Sequence, residues 1–195
     1  MQSIKLSELK QFTSKPKWYA AQGMAMIIFG GIIASLSILA PNVTMLGKNF
    51  SWLPIIGIIV LLVGCSRCID AYASDSAQGF LYNMQGGILD VVVGFLVIFS
   101  LDKEPDNLIL LLVGYLVSQG IYRNVLLSVA QIRNPMSNRI TGLISIILGM
   151  FIWIWVDGST SGAWFLSLSL SVDICFRGWA LIVLASSLKT TAVKD

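Results

Sequence analysis

Apolar runs about twenty residues long, separated by short polar breaks, dominate this chain. A helix needs about 20 mostly apolar residues to cross the hydrocarbon of a bilayer. Six windows meet that requirement: Trp18–Ala40, Trp52–Ala73, Phe80–Leu101, Asn107–Ala130, Ile140–Val156 and Gly162–Leu188. The breaks carry turn formers, among them Pro41, Asn42, Pro105, Asp106, Pro135, Gly158 and Ser159. The pattern predicts an all-α integral membrane protein with six transmembrane helices. Its expected organisation is a cytoplasmic N-terminal arm (1–17), a transmembrane domain (18–188) and a short cytoplasmic tail (189–195).

Composition narrows the function classes. Of the 195 residues, 56% are hydrophobic and 12% charged, and the mean hydropathy is +0.81. A soluble domain carries roughly 45–50% apolar and about 25% charged residues. Too little polar surface remains to face water, which excludes a soluble enzyme, a nucleic-acid-binding domain and a disordered chain. The net charge of +3 is not gathered into a basic block, so no nucleic acid partner is expected. There is no histidine. His-based catalytic triads, His-rich zinc sites and histidine pH switches are excluded with it.

The placement of charge predicts orientation. Lys5, Lys10, Lys15, Lys17, Arg133, Arg139, Lys189 and Lys194 fall on one side if both termini share it, against Lys48 and Lys103 on the other. That bias of eight to two puts both termini in the cytoplasm. The first apolar stretch is longer than the usual 7–15 residues of a signal sequence and follows a long charged arm, so it reads as a span. Cys65, Cys68 and Cys175 lie within spans, and no disulfide framework follows from them. The CSRC run at 65–68 has the spacing of a redox pair, although small buried thiols in a helix are commoner.

Self-comparison reveals a repeat. Gly23 and Gly30, Gly87 and Gly94, and Gly142 and Gly149 recur seven residues apart in the odd-numbered windows, two turns apart on one helix face. Pro41 and Pro105 follow the second glycine by eleven residues, and Thr160 takes that place in the third copy. Each even-numbered window carries one arginine in its later half: Arg67, Arg123 and Arg177. The second glycine precedes that arginine by 37, 29 and 28 residues, so the first copy has a longer loop near Asn42–Phe50. The unit is a two-helix hairpin present three times (18–73, 80–130, 140–188). Each copy starts and ends on the same side, which predicts parallel repeats and pseudo-three-fold symmetry about the membrane normal. The glycines are expected to serve close helix packing.

Arg67, Arg123 and Arg177 face Asp70, Asp90 and Asp173 in number, three against three. Left unpaired at helix centres, six charges would cost roughly 15–20 kcal/mol, so pairing or hydration is required. Arg67 and Asp70 are three residues apart and Asp173 and Arg177 four, so each pair shares a helix face. Asp90 and Arg123 lack a same-helix partner and are expected to pair with each other. Asp90, without a neighbouring cation on its own helix, is then the expected point of coupling to pH. Gln22, Gln85, Gln119, Asn83 and Asn124 add hydrogen-bonding capacity.

The segments WYAAQGMAMIIFGGI (18–32) with Pro41, GGILDVVVGF (86–95), GIYRNVLLSV (120–129) and VDICFRGWALIVLA (172–185) resemble the HdeD-like family of bacterial acid-resistance membrane proteins, built from short two-helix repeats. The likeness runs along the chain beyond the N-terminal arm. Two departures are the missing turn proline of the third repeat and the long first outer loop with Lys48. The resemblance implies a place in the bacterial inner membrane and a role in acid stress, and it brings no catalytic mechanism. The expected function is non-enzymatic, through assembly or membrane permeability, with no catalytic residue, metal or cofactor. A small proton or ion transporter using the Asp/Arg layer is one alternative. An accessory subunit of a larger membrane complex is another, with Trp153, Trp155, Trp164 and Trp179 toward a partner or at the membrane interface. The expected partners are the lipid bilayer and, in that last reading, a second copy or a larger complex.

Overall fold

The computed structural model describes residues 16–40, 52–72, 74, 77–99, 105–130, 135–155 and 163–192, and every regular element among them is an α-helix. There are six among the described residues: α1 Pro16–Leu39, α2 Leu53–Tyr72, α3 Ala77–Phe99, α4 Pro105–Ala130, α5 Pro135–Trp155 and α6 Ala163–Ala192. Four contain stretches long and apolar enough to cross a membrane: Lys17–Leu39, Leu53–Tyr72, Asn107–Val125 and Trp164–Ser186. α3 and α5 contribute shorter apolar stretches, Asn83–Phe99 and Arg139–Trp155. Pro41, Lys48, Lys103 and Thr160, with most of the N-terminal arm, lie outside the described residues.

Proline placement differs from the turn assignment. Pro16, Pro105 and Pro135 are the first residues of their helices and Pro54 the second of α2. At a first turn the missing N–H has no acceptor to lose, and the fixed φ suits the helix. Pro105 therefore opens α4 instead of closing α3, which ends at Phe99. α5 starts at Pro135, not Ile140, and α6 continues to Ala192, into the stretch assigned to the tail. A hydropathy window stops where apolar residues stop, whereas backbone hydrogen bonding runs on through Arg139 at one boundary and Lys189 at the other.

The closest helix pairs are α2–α3, α1–α6 and α4–α5. All three seams are antiparallel, and the glycines spaced seven residues apart lie in them. A Cβ on Gly94 would stand 2.6 Å from the Leu61 nitrogen and 2.8 Å from the Gly57 oxygen. A Cβ on Gly23 would stand 2.6 Å from the Gly178 oxygen, and one on Gly142 2.7 Å from Asn124 Nδ2. At Gly94 and Gly23 no larger residue fits without a shift of the facing backbone. Two seams share a register: Gly87 faces Gly64 and Cys68, and Gly142 faces Gly120 and Asn124. In the third, Gly23 faces Gly178 and Ile182, and Gly30 faces Ser171 and Cys175. α6 is thus offset by about one turn relative to α2 and α4 in the other seams. Through the α1–α6 seam the first helix packs on the last, and the bundle closes on itself.

The interior is layered. Leu53, Ile56, Val97, Leu112, Ile152 and Leu170 are buried together toward the end where α2, α4 and α6 begin. A polar layer around Asp90 lies beyond them, with the three arginines on its far side. Large apolar side chains such as Ile28, Leu62, Val92, Phe95, Leu143 and Ile147 point outward. So extensive an apolar exterior is foreign to a surface made for water.

Candidate functional site

Asp90 on α3 is fully buried and sits at the focus of the polar layer. Its Oδ1 accepts from Tyr115 Oη at 2.5 Å, Gln119 Nε2 at 2.8 Å and Arg177 Nη1 at 2.8 Å. Its Oδ2 accepts from Arg67 Nη1 at 3.0 Å. One carboxylate therefore gathers donors from α2, α4 and α6. Tyr115 and Gln119 are four residues apart, so one face of α4 presents both.

Arg177 is the second focus. Its Nη2 lies 2.5 Å from Asp173 Oδ2, one turn earlier on α6, and donates to Tyr115 Oη at 2.9 Å. The tyrosine hydroxyl thus accepts from the guanidinium and donates to Asp90. The Tyr115 ring also lies under Arg177, with Cζ 5.4 Å from its centroid, in the range of a cation–π contact. Ser145 on α5 bonds Asp173 Oδ1, with the Thr141 carbonyl as a second acceptor at 3.0 Å. Arg67, Asp90, Arg177 and Asp173 form a chain in which positive and negative groups alternate and balance. Alternation of this kind, with hydrogen bonds to the remaining lone pairs, is what makes buried charge tolerable.

The pairing corrects part of the expectation. Asp173 and Arg177 meet on one helix, as their spacing predicts. Asp90 is joined by Arg67 and Arg177, not by Arg123, because α6 brings its guanidinium to α3 across the bundle. Asp90 has no cation on its own helix, as its spacing predicts, and two guanidinium groups from other helices stand where Arg123 was expected. Asp70 accepts from the Trp18 indole at 3.1 Å, and Gln22 donates to Ser66 at 2.9 Å, tying α1 to α2. Tyr115 and Ser145 were missed. Ser145 stands three residues after Gly142 as Asp90 stands three after Gly87, and that shared register was the available signal.

Arg67, Arg123 and Arg177, from α2, α4 and α6, all line one cleft at the arginine end of the bundle. Tyr19, Gln22, Asn83 and Thr141 share its wall, with Asp70 as the carboxylate of the lining. It is narrow, with about 30 Å3 of water-sized free space. The network of Asp90 lies beyond its floor. No family model, curated protein or solved structure matches this chain. What the site does must accordingly be argued from its own chemistry.

That chemistry is electrostatic. Among the described residues, no three His, Cys, Asp or Glu side chains come together as a metal ion would require. Cys65, Cys68 and Cys175 are free thiols. Tyr115, Gln119 and Ser145 each serve a carboxylate, while Arg177 Nε is buried without a hydrogen-bond partner among the described residues. The site offers guanidinium groups facing a cleft on one side and a closed ion-pair network on the other.

Proposed function

We propose that this chain is a six-span, non-enzymatic protein of a bacterial inner membrane, with both termini cytoplasmic, serving resistance to acid or related stress. In this reading its three hairpins are parallel repeats, and it acts by assembling in the membrane and limiting permeability. The observation that carries the proposal is the closed network around Asp90 and Arg177. It plugs the bundle between the arginine cleft and the apolar layer of Leu112, Leu170 and Ile152. A bundle so filled is a barrier. The sequence resemblance to the HdeD-like family supports the stress assignment, and the outward apolar side chains support the membrane assignment.

The decisive experiment pairs survival with leak. Cells with and without the protein are challenged with acid, and liposomes containing it are assayed for proton flux. Protein-dependent survival with no added flux is the expected result. Unchanged survival would remove the stress assignment. A second reading, a proton or ion pathway, draws on the cleft that reaches Arg177 from one end. Flux through wild-type liposomes that Asp90→Asn abolishes would establish that reading in place of the barrier.

A further inference from the structure

All six helices line the cleft at the arginine end. Gln22, Arg67, Asn83, Arg123, Thr141 and Arg177 come one each from α1 to α6, in that order. A space ringed by every helix lies along the axis of the bundle, shielded from the surrounding lipid. Its free space for water-sized molecules is about 30 Å3. One water needs roughly 10–15 Å3 on that measure, so there is room for about two. A hydrated ion, a phosphate or an organic solute is too large.

The lining suits water. The guanidinium groups, the Thr141 hydroxyl and the amides of Gln22 and Asn83 offer the 2–4 polar partners that an ordered water needs. Arg177 belongs both to this wall and to the network behind it. Its Nη1 bonds Asp90, and its Nη2 bonds Tyr115 and pairs with Asp173. Its Nε is buried without a hydrogen-bond partner among the described residues. A buried donor is costly to leave without an acceptor, and a water in the cleft is of the size to supply one. Beyond the network the interior changes character. Leu53, Ile56, Leu112, Ile152 and Leu170 pack into one apolar cluster, and apolar space of that kind stays dry.

We infer that the cleft is a hydration site, taking one or two ordered waters that bond Arg177 Nε, and that the bundle is sealed in two stages. Solutes stop at the cleft and water stops at the apolar layer behind the network. The inference rests on the barrier reading above and deepens it. The ion pairs of Asp90 and Arg177 are then solvated from the arginine end and from no other. The layer of Leu112 and Leu170, not the charged network, is where the bundle becomes dry.

The test reads water directly, in the full chain without native cysteines, reconstituted in liposomes. Single cysteines are placed in the cleft (Thr141→Cys, Ala180→Cys) or in the apolar layer (Leu112→Cys, Leu170→Cys). Transfer to heavy water shifts the infrared S–H band of each thiol as it exchanges. The two cleft thiols should exchange at least about a hundredfold faster than the two layer thiols, whose exchange waits on local opening of the bundle. The paired positions on separate helices keep the comparison if one variant of either kind does not fold. A maleimide, larger than the cleft, should leave Thr141→Cys unmodified in the folded protein. Slow exchange at the cleft thiols overturns the hydration site, and fast exchange at the layer thiols overturns the dry seal. Modification of Thr141→Cys by the maleimide overturns the exclusion of solutes. Proton flux through liposomes with the wild-type chain is a separate result: it removes the barrier reading itself, whatever the exchange rates.

Discussion

Tyr115 links the two foci of the polar layer, donating to Asp90 and accepting from Arg177. Tyr115→Phe removes both bonds and leaves the packing of the ring intact. It should lower stability by about 1–3 kcal/mol, the range for leaving buried partners unsatisfied. Asp90→Asn removes the negative charge that two guanidinium groups share and turns one acceptor oxygen into a donor, and Arg177 is almost wholly buried. Breaking a buried pair in this way costs about 3–5 kcal/mol. Unfolding of each variant in mixed detergent micelles checks both values. The double variant should fall short of the sum by about 0.5–3 kcal/mol, because the two residues belong to one network. Additive losses would mean that Tyr115 and Asp90 act independently.

Helix contacts depend on where glycine leaves room. Gly94 and Gly64 stand in the α2–α3 seam, where a Cβ would come within 2.6 Å of a backbone nitrogen on the facing helix. Gly94→Ala should therefore destabilise the protein by about 1–3 kcal/mol through overpacking. Gly114 has no atom within 4 Å of its would-be Cβ. Gly114→Ala should instead raise stability by about 0.5–1 kcal/mol, the helix preference of alanine over glycine. Opposite shifts in unfolding temperature for the two substitutions are the expected outcome. The seven-residue spacing marks the faces of α1, α3 and α5 that pack closely. It does not say which helix each meets, and the tight partner of each is the even helix of the neighbouring hairpin.

Across the whole molecule, the N-terminal ends of α1, α3 and α5 meet the C-terminal ends of α6, α2 and α4. This places Arg67, Arg123 and Arg177 around one cleft. In the proposed topology that end faces the cytoplasm. Met136, exposed at the start of α5, lies toward it. In a variant without native cysteines, Met136→Cys should react with an impermeant maleimide only from the cytoplasmic side. Lys48→Cys, outside the described residues, should react only from the opposite side. Labelling of both from one side would overturn the six-span arrangement.

Local pattern was sufficient for the helices: apolar run length predicts their number and approximate centres, since a bilayer-scale helix declares itself in about 20 consecutive residues. Local spacing was likewise sufficient for the Asp173–Arg177 pair, because four residues on a helix make neighbours regardless of the fold. The partners of Asp90 were not legible. Arg177 lies 87 residues away in sequence, and an arginine stem can reach several helices in a closed bundle. Three arginines and three aspartates permit many balanced pairings, all equal in formal charge. Only the closure of α6 against α1, with its one-turn offset, selects the pairing that brings Arg177 to Asp90 and leaves Arg123 on the cleft wall.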